Sequence, residues 1–524
     1  MRIPIVSTPL RFRRTTEPSL RAPTRARPDG GHLRLAIARV SRGLRPAASA
    51  AVLPVAPQAI GSGAVQPQSL SSRELRSRVW TLALPAIGEQ VLALGVGVSD
   101  TFLSGHMANH ASAVLGYGRA TALASVGVAA TAVWVILTAF FAVNIGVTAL
   151  VARAVGAKDR DLAARTAAQG IVLGAVAGVA MVLVAVPLAD LLTQALGVSG
   201  QVAVLAASFI RVYSIALPAV GITSACTAAM RGASDPRRPL AIMVIVNGTN
   251  IVASWTLLNG VPSLGIAPIG VVGSATGAAL GWALGAVLAI VLLSRSHPRA
   301  PRLHRKYLRP DIRLIKRILN IGLPSAAELV VFQIGIVSFL RIVVPLGADT
   351  YAANTSINTI ESIGSLPGFG FAVAATALVG QALGARDPEL AVRVVWAALR
   401  PCLAIMGTLG LIALVVPHLL LGTFIADANV IRAGDTAMRL SILTMPPSAL
   451  AFVFIGALRG AGDTKFPVIV RATGTWGIRV PLALFLIPML ALPGARIAMA
   501  CDFWTQAGIT YLRFRSGKWR KLSV

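Results

Sequence analysis

The sequence predicts an all-α polytopic membrane protein, with twelve transmembrane helices in two six-helix lobes related by a pseudo-two-fold axis along the membrane normal. Three observations predict this fold. The 524 residues are 55% hydrophobic, with a mean hydropathy of +0.74. Apolar stretches longer than about 18 residues, the length that spans a membrane, recur from Val79 to the C-terminus. Several motifs also occur twice, once in each half of the chain.

Residues 1–72 differ in composition from the rest of the chain. They contain eleven Arg but only two acids, Glu17 and Asp29, and they lack Lys. This composition predicts a disordered basic leader. An Arg-rich, acid-poor leader is also typical of an organelle transit peptide. The alternatives are a bacterial cytoplasmic tail and upstream sequence translated from a misassigned start, and we favour the bacterial interpretation.

The remaining chain divides into two predicted lobes. The N-lobe is expected at residues 73–294, a cytoplasmic linker at 295–313, and the C-lobe with a short basic tail at 314–524. Loops after the even-numbered spans are basic, whereas the alternate loops hold almost no Lys or Arg, with Arg432 and Arg496 as exceptions. Since cytoplasmic loops carry excess Lys and Arg, we expect both termini on the cytoplasmic side of a cell membrane. An organelle envelope is the alternative if the leader is a transit peptide.

The net charge of +29 does not indicate a nucleic-acid partner, because the basic residues lie in short segments between apolar stretches and no nucleic-acid motif is present. The sequence contains no P-loop, nucleophile elbow or Rossmann fingerprint, which argues against an enzyme. Its three cysteines show no zinc or disulfide spacing. We therefore expect no cofactor.

An internal repeat is visible in three pairs of motifs. The first copies and their later counterparts are "MRGASDPRRP" at 230–239 and "LRGAGDTKFP" at 458–467, "ALVARAVGAKD" at 149–159 and "ALVGQALGARD" at 377–387, and "LPAIGE" at 84–89 and "LPSAAE" at 323–328. In the first two pairs, the second copy follows the first by the same number of residues, the number that separates Arg231 from Arg459. We call this spacing the shorter offset. The third pair has a longer offset, that from Glu89 to Glu328.

The orientation of the two halves follows from this repeat. The copies are six spans apart, an even number, so both halves have the same orientation in the membrane. This arrangement predicts parallel repeats with a cavity between them, as in a transporter.

These motifs, in this order and spacing, make residues from about 73 to 520 similar to multidrug and toxic compound extrusion (MATE) transporters of the MOP flippase superfamily. Further motifs that carry the resemblance are Pro85 with Asp100, "NIVASWTLLNG" at 250–260 and "WGIRVP" at 476–481. The resemblance implies two lobes that alternate access to a central site. It also implies an antiporter that exports organic, often cationic, compounds in exchange for protons or sodium.

Asp100 is the only charged residue in the stretch "LALGVGVSDTFLSG" at 92–105. A charge near a bilayer centre costs about 2.5–3.5 kcal/mol on insertion scales, so its presence there favours a function. Its repeat position, by the longer offset, is Phe339, and the acid therefore breaks the repeat symmetry. The resemblance implies a role in cation coupling. Alternatively, the side chain reaches the outer interface.

Three polar residues of the fifth span complete the predicted coupling site: Asn247, Asn250 and Ser254. The resemblance implies that relatives carry an Asn at 250 and an acid four residues later, where this chain has Ser254. Asp100 is then the only acid of the cluster, and the residues typical of the sodium-coupled branch before "LRG" are also absent. We therefore predict proton rather than sodium coupling. An alternative interpretation of Asn247 and Asn250 is interhelical hydrogen bonding.

Polar residues within the other spans predict a substrate cavity. We assign six residues to it: Glu89, Glu328, Gln333, Asn354, Asn358 and Glu361. Glu89 and Glu328 are repeat-related, each four residues after a Pro, and the last three form a stripe on one helix face. The alternatives are helix packing for the stripe and a position near the cytoplasmic interface for the Glu pair. We interpret the Gly-rich stretch "GSATGAALG" as a close-packing surface.

A lipid-linked oligosaccharide flippase, or another lipid flippase of the same superfamily, is the alternative function. Such a flippase would need several basic residues in its cavity for pyrophosphate. We count only Arg341 and Arg479 within second-half spans and Arg211 in the first half, which disfavours flipping. The expected partners are small organic molecules and the lipid bilayer, and we expect a monomer.

Overall fold

The computed structural model describes residues 71–295 and 303–522, which belong to one compact unit, Ser69–Val524. The described residues are almost entirely helical, and the single extended pairing among them is an isolated bridge between Val261 and Ile266. The predicted leader lies outside the described residues up to residue 70.

The described chain has eighteen α-helices, and we call the part before residue 296 the N-lobe and the part after residue 302 the C-lobe. The N-lobe helices are α1 Ser72–Gly105, α2 Asn109–Leu115, α3 Arg119–Leu137, α4 Phe140–Gly156, α5 Arg160–Ala185, α6 Ala189–Ala195, α7 Gly200–Ile215, α8 Leu217–Gly232, α9 Arg237–Asn259 and α10 Val271–Ser294. The C-lobe helices are α11 Ile312–Val343, α12 Ala348–Gly384, α13 Pro388–Val415, α14 Pro417–Gly422, α15 Ala428–Arg439, α16 Met445–Gly460, α17 Lys465–Ala472 and α18 Val480–Arg515. A π-helical segment, Thr473–Arg479, joins α17 to α18.

The helices form twelve membrane spans. Among the described residues, nine helices are long and apolar enough to cross a membrane, and two helix pairs bent by 52° and 45° add two more. One of the nine, Lys465–Arg515, has 51 residues and would be about 75 Å long if straight, more than twice the hydrocarbon thickness. The left-handed backbone of Ala491 (φ 52°) breaks it into two spans. The predicted all-α, twelve-span fold is confirmed.

The second span consists of two helices. α4 continues the span of α3 to Gly156. The two helices form one span because α3 packs against α7 and α4 packs against α8, which are themselves the two parts of one bent span.

The turn after this span recurs in the C-lobe. Lys158 and Arg386, which are related by the shorter offset, both adopt a left-handed backbone (φ 60° and 59°). In each lobe the next residue, Asp159 or Asp387, caps the following helix by accepting a hydrogen bond from a backbone N–H three residues on. An N-cap acid satisfies an otherwise unpaired amide at the helix start. The sequence repeat is therefore also a repeat of local structure.

Each lobe packs the first part of its first helix into the hydrophobic core of the other lobe. Val79 and Leu82 of α1 lie in a hydrophobic core formed mainly by C-lobe residues. Ile318 and Ile321 of α11, their repeat partners by the longer offset, lie in a core formed mainly by N-lobe residues. This reciprocal packing is what a two-fold relation between parallel repeats requires.

Small residues allow the lobes to approach closely at the end that carries the basic loops. A Cβ on Gly156 would lie 2.0 Å from the Gln381 carbonyl oxygen, and one on Gly384 would lie 2.1 Å from the Arg153 carbonyl oxygen. Gly156 and Gly384 are again related by the shorter offset. Only glycine permits this backbone contact, so the lobes are closed at the basic end.

Two repeat-related side chains also bridge the lobes at this end. Arg153 Nη2 donates to the Ala461 carbonyl oxygen at 2.9 Å, and Gln381 Nε2 donates to the Gly232 carbonyl oxygen at 2.8 Å. Arg153 Nη1 also donates to the carbonyl oxygen of Leu522 in the C-terminal tail at 2.9 Å. We call Arg153 and Gln381 the basic-end latch.

Candidate functional site

The N-lobe contains a buried polar cluster formed by Asp100, Asn250, Ser254 and Ser274. Asp100 on α1 is 4% exposed, and the other three side chains are fully buried. Asp100 Oδ1 accepts from Ser274 Oγ on α10 at 3.1 Å and from Ser254 Oγ on α9 at 3.4 Å. Ser254 Oγ also lies 2.7 Å from Asn250 Oδ1, which links the members into one network. The predicted grouping of Asp100, Asn250 and Ser254 is thus present in the fold.

Close packing of α9 on α10 shapes this cluster. A Cβ on Gly277 would lie 2.3 Å from Ser254 Oγ, and one on Gly281 would lie 2.7 Å from the Val246 carbonyl oxygen. The "GSATGAALG" stretch therefore packs closely, as the sequence indicated, and it also supplies Ser274 to the cluster. Sequence reasoning missed Ser274 because a single hydroxyl within a small-residue stripe carries no distinct signal. The Asp100 side chain is buried between α1, α9 and α10 rather than extended toward solvent.

Asn247 lies outside the cluster. Its Nδ2 donates to the Leu92 carbonyl oxygen of α1 at 2.9 Å and to the Met243 carbonyl oxygen at 2.9 Å. The side chain therefore joins α9 to α1 away from Asp100, in keeping with the alternative interpretation as an interhelical hydrogen bond.

Asp100 differs from the other acids buried within the spans. Among the described residues, no Lys, Arg or His forms an ion pair with it; its polar neighbours are Ser274, Asn250 and Ser254. Four other buried acids each pair with an arginine: Glu89 with Arg231, Glu328 with Arg459, Glu361 with Arg496, and Asp502 with Arg479. Asp100 is the buried acid whose charge no cationic side chain compensates in the described part of the chain.

The first two of these ion pairs are copies of each other. Glu89 of α1 binds Arg231 at the end of α8, and Glu328 of α11 binds Arg459 at the end of α16 at 2.8 Å. The two acids are related by the longer offset and the two arginines by the shorter one, in keeping with the sequence repeat. Arg471 adds a second contact to Glu328 at 3.6 Å.

The predicted polar stripe of α12 surrounds one arginine. Arg496 of α18 lies 3.0 Å from Glu361 Oε2, 2.6 Å from Asn354 Oδ1 and 3.0 Å from Asn358 Oδ1. Thr444 Oγ1 donates to the other oxygen of Glu361 at 3.0 Å. The structure thus brings together the three predicted stripe residues.

The sequence-based position of Arg496 is wrong. The sequence predicts it in a loop on the outer side, whereas it lies fully buried within α18. The error arose because Pro493 and Gly494 indicate a loop, but the break in the helix is at Ala491. The sequence-based count of arginines within the second-half spans therefore omitted Arg496.

The predicted substrate cavity also includes Gln333, which lies away from these polar networks. Gln333 is exposed on α11, and the structure does not bring it to the other predicted residues. The assignment of Glu89, Glu328, Gln333 and the α12 stripe to a substrate cavity stays a prediction. Within the described residues, no group of three or more His, Cys, Asp or Glu is placed to hold a metal ion.

The family model described as MatE matches this chain twice, at residues 85–256 and 324–485. The chain belongs to the MATE family of transporters. The two matched segments start at residues separated by the longer offset and end at residues separated by nearly the shorter offset. Each segment therefore covers one copy of the repeat. The predicted membership is confirmed. The MATE fold accounts for the two lobes, and the chain is a multi-pass membrane protein.

Similar proteins come from several bacteria. A probable multidrug resistance protein NorM of Thermotoga maritima is 30% identical over 455 residues, which cover 86% of this chain and 94% of that protein. A protein of the same description from Caulobacter vibrioides is 27% identical and covers 84% of this chain and 91% of its own length.

Solved structures share the fold. An outward-facing conformation of a multidrug resistance MATE family transporter of the MOP superfamily superposes with a TM-score of 0.76 at 20% identity, covering 86% of this chain and 97% of that one. A MOP superfamily transporter from Pyrococcus furiosus superposes with a TM-score of 0.75 at 21% identity and the same coverage. The latter is described as having a binding pocket of reverse polarity that suggests a different function.

Proposed function

We propose that this MATE transporter exports organic compounds, drugs included, in exchange for protons, and that Asp100 carries the proton. The observation that carries the proposal is the buried Asp100 carboxyl, which has hydroxyl and amide neighbours and no ion-pair partner among the described residues. The names of the relatives, probable multidrug resistance proteins, support the drug class.

The physical argument starts from the cost of a buried charge. An ionised carboxylate without a counter-ion is expensive in a low-dielectric interior, so it takes up either a proton or water. Protonated Asp100 keeps α1 packed against α9 and α10, whereas ionised Asp100 draws water into the cluster and loosens that packing. The protonation state therefore biases two arrangements of α1.

The fold connects this bias to the lobes. The second part of α1 carries Asp100 in the N-lobe, while the first part, with Val79 and Leu82, packs in the C-lobe core. Pro85 lies between the two parts and removes a helix hydrogen bond, which makes α1 easier to bend there. A rearrangement around Asp100 would thus reach the interface between the lobes.

A lipid flippase is less well supported than an exporter. The structure adds four arginines to those that we counted within the spans: Arg231 and Arg496, which are buried, and Arg459 and Arg471, which are 14% and 12% exposed. Each of these arginines is already paired with an acid, so it is not free to bind a pyrophosphate. The increased count therefore does not favour the flippase.

The test is dye efflux in everted vesicles under an imposed pH gradient or an imposed sodium gradient. Wild type is expected to respond to the pH gradient, and Asp100→Asn is expected to lose that response while its membrane insertion is unchanged. The matched control is Asp190→Asn, because Asp190 is an exposed acid paired with Arg211. Efflux by Asp100→Asn at the wild-type rate would refute the proposal, and a wild type driven by sodium alone would replace the proton with sodium.

We also propose that the basic end faces the cytoplasm of a bacterial cell, since cytoplasmic loops carry excess Lys and Arg. Reporter fusions at Lys158, Arg237 and Arg386 are expected inside, and fusions at His106 and Ser199 outside. Finding Arg237 and Ser199 on the same side would contradict this orientation.

A further inference from the structure

The C-lobe has a different chemistry at the position that corresponds to Asp100. The repeat partner of Asp100 is Phe339 on α11, which is 4% exposed. The guanidinium of Arg479 lies 5.9 Å from the centre of the Phe339 ring. Where the N-lobe has a carboxyl without an ion-pair partner, the C-lobe has an aromatic ring that faces a permanent positive charge.

Arg479 also takes the repeat position of Asn250. The shorter offset, counted from Asn250, leads to Ile478, and Arg479 is the next residue in the chain. The π-helical segment Thr473–Arg479 accounts for the extra residue, because a π-turn holds one residue more than an α-turn. An amide of the N-lobe cluster is thus replaced by a cation in the C-lobe.

The counter-ion of this cation is Asp502 on α18. Arg479 Nη2 lies 2.6 Å from Asp502 Oδ2, and the two side chains are 3% and 0% exposed. Gln506 Nε2 donates to the other oxygen, Asp502 Oδ1, at 2.5 Å. A Cβ on Gly474, in the π-helical segment, would lie 2.1 Å from Asp502 Oδ1, so a glycine is required for this close approach.

We propose that Arg479 is a tethered cation. In the C-lobe its guanidinium neutralises Asp502, as the exchanged proton neutralises Asp100 in the N-lobe. The inference rests on the proposed function of Asp100. The N-lobe carboxyl is neutralised only when a mobile cation arrives, whereas the C-lobe carboxyl is neutralised at all times by a side chain. Only the N-lobe then responds to the ion gradient, and the transporter exchanges one cation per cycle.

The surroundings of Asp502 keep its charge compensated. Arg471 is within electrostatic reach of both Asp502 and Glu328, and it contacts Glu328 at 3.6 Å. Arg496 is within reach of Arg479 but is engaged by Glu361 at 3.0 Å. The charged groups that face Asp502 are therefore arginines, of which Arg479 alone is in ion-pair contact among the described residues.

Removal of Arg479 should create a second cation site. A buried carboxylate that loses its partner is left as an uncompensated charge and binds a cation from solution. The experiment measures the melting temperature of purified protein from about pH 5.5 to pH 8, in an Asp100→Asn parent that lacks the N-lobe site. In this parent, Arg479→Gln is expected to bind about one additional proton in the folded state.

The sign of the effect follows from linkage. A proton bound only by the folded state stabilises the protein at low pH, and that stability is lost as the pH rises. The melting temperature of Arg479→Gln should therefore fall by about 2 °C per pH unit relative to the parent. Arg479→Lys, which keeps the charge, and Arg479→Gln/Asp502→Asn, which removes both charges, should follow the parent. An Arg479→Gln profile that matches the parent overturns the proposal.

A second variant covers the case in which Arg479→Gln does not fold. Asp502→Asn in the same parent should leave the pH profile unchanged, because the proposal keeps Asp502 paired with Arg479 throughout. A changed profile would show that Asp502 titrates in the native C-lobe and would overturn the proposal. Failure of the proposed function is recognised separately, as identical pH profiles of wild type and the Asp100→Asn parent.

Discussion

At the residue scale, the buried acids of this transporter fall into two kinds. Glu89, Glu328, Glu361 and Asp502 each have an arginine, and removal of one partner from a buried pair leaves a charge that costs about 3–5 kcal/mol. Asp100 has hydroxyl partners instead. The four paired acids each have a fixed cationic partner, whereas Asp100, in the proposed mechanism, changes its charge during a transport cycle.

The pairing of Glu361 changes the expectation for substrate selectivity. From the sequence, an acid in a cavity would attract cationic drugs. Because Arg496 neutralises Glu361 at 3.0 Å, Glu361→Gln is expected to lower the efflux of a cationic dye and of a neutral dye of similar size by the same factor. The loss should follow from destabilisation by the unpaired Arg496.

The control for this prediction is Glu361→Gln/Arg496→Met, in which no buried charge is left without a partner. It should recover part of the stability that Glu361→Gln loses. A loss about tenfold larger for the cationic dye than for the neutral dye would contradict the prediction and would assign Glu361 to substrate binding.

At the element scale, glycines determine how closely the helices of the two lobes approach. Gly156→Val is expected to open the basic end, because its Cβ would lie 2.0 Å from the Gln381 carbonyl oxygen and neither backbone can move aside without separating α4 from α12. Efflux should fall severely. The matched control is Gly127→Val on α3, since nothing lies within 4 Å of a Cβ at Gly127.

Spin labels at Lys158 and Arg386, the repeat-related turn residues of the two lobes, report the opening. Their distance distribution should move to longer values in Gly156→Val and stay unchanged in Gly127→Val. An unchanged distribution in Gly156→Val would show that the basic end accommodates the side chain by another route.

Helices and repeats could be predicted from the sequence, whereas side-chain partners could not. Apolar length and repeated motifs indicated the spans, and the cluster of Asp100, Asn250 and Ser254 followed from their resemblance to a known site. The partner of Glu328 is Arg459, which lies far away in the chain on another helix, and the contact depends on how both helices are rotated. Hydropathy along one chain carries no information on that rotation.

At the scale of the whole molecule, the two lobes are held together by reciprocal contacts. Each lobe contributes the start of its first helix to the core of the other, and each contributes one side chain to the basic-end latch, Arg153 or Gln381. Because the latch contacts come as a symmetric pair, opening of the basic end would have to break both of them.

Removal of the latch is predicted to shift the equilibrium between the states with a closed and an open basic end. Arg153→Ala/Gln381→Ala removes four cross-lobe or tail hydrogen bonds of about 1 kcal/mol each, although part of this energy is returned by solvent. We expect a shift of about 2 kcal/mol, or about thirty-fold, toward the state with an open basic end. The same spin labels measure this shift.

Arg165→Ala is the control for the latch, because it removes an exposed arginine whose partner, Asp161, lies on the same helix. It should leave the distances between the labels unchanged. Equal distance distributions in the latch variant and in wild type would mean that helix packing alone holds the basic end closed.

The most direct test of the central claim, that Asp100 carries the exchanged proton, is to count protons released when substrate binds to purified transporter in weakly buffered solution. Wild type is predicted to release about one proton per molecule, because substrate and proton favour opposite states of α1. Asp100→Asn is predicted to bind substrate and release none. Release of about one proton by Asp100→Asn would contradict the account and place the coupling at another residue.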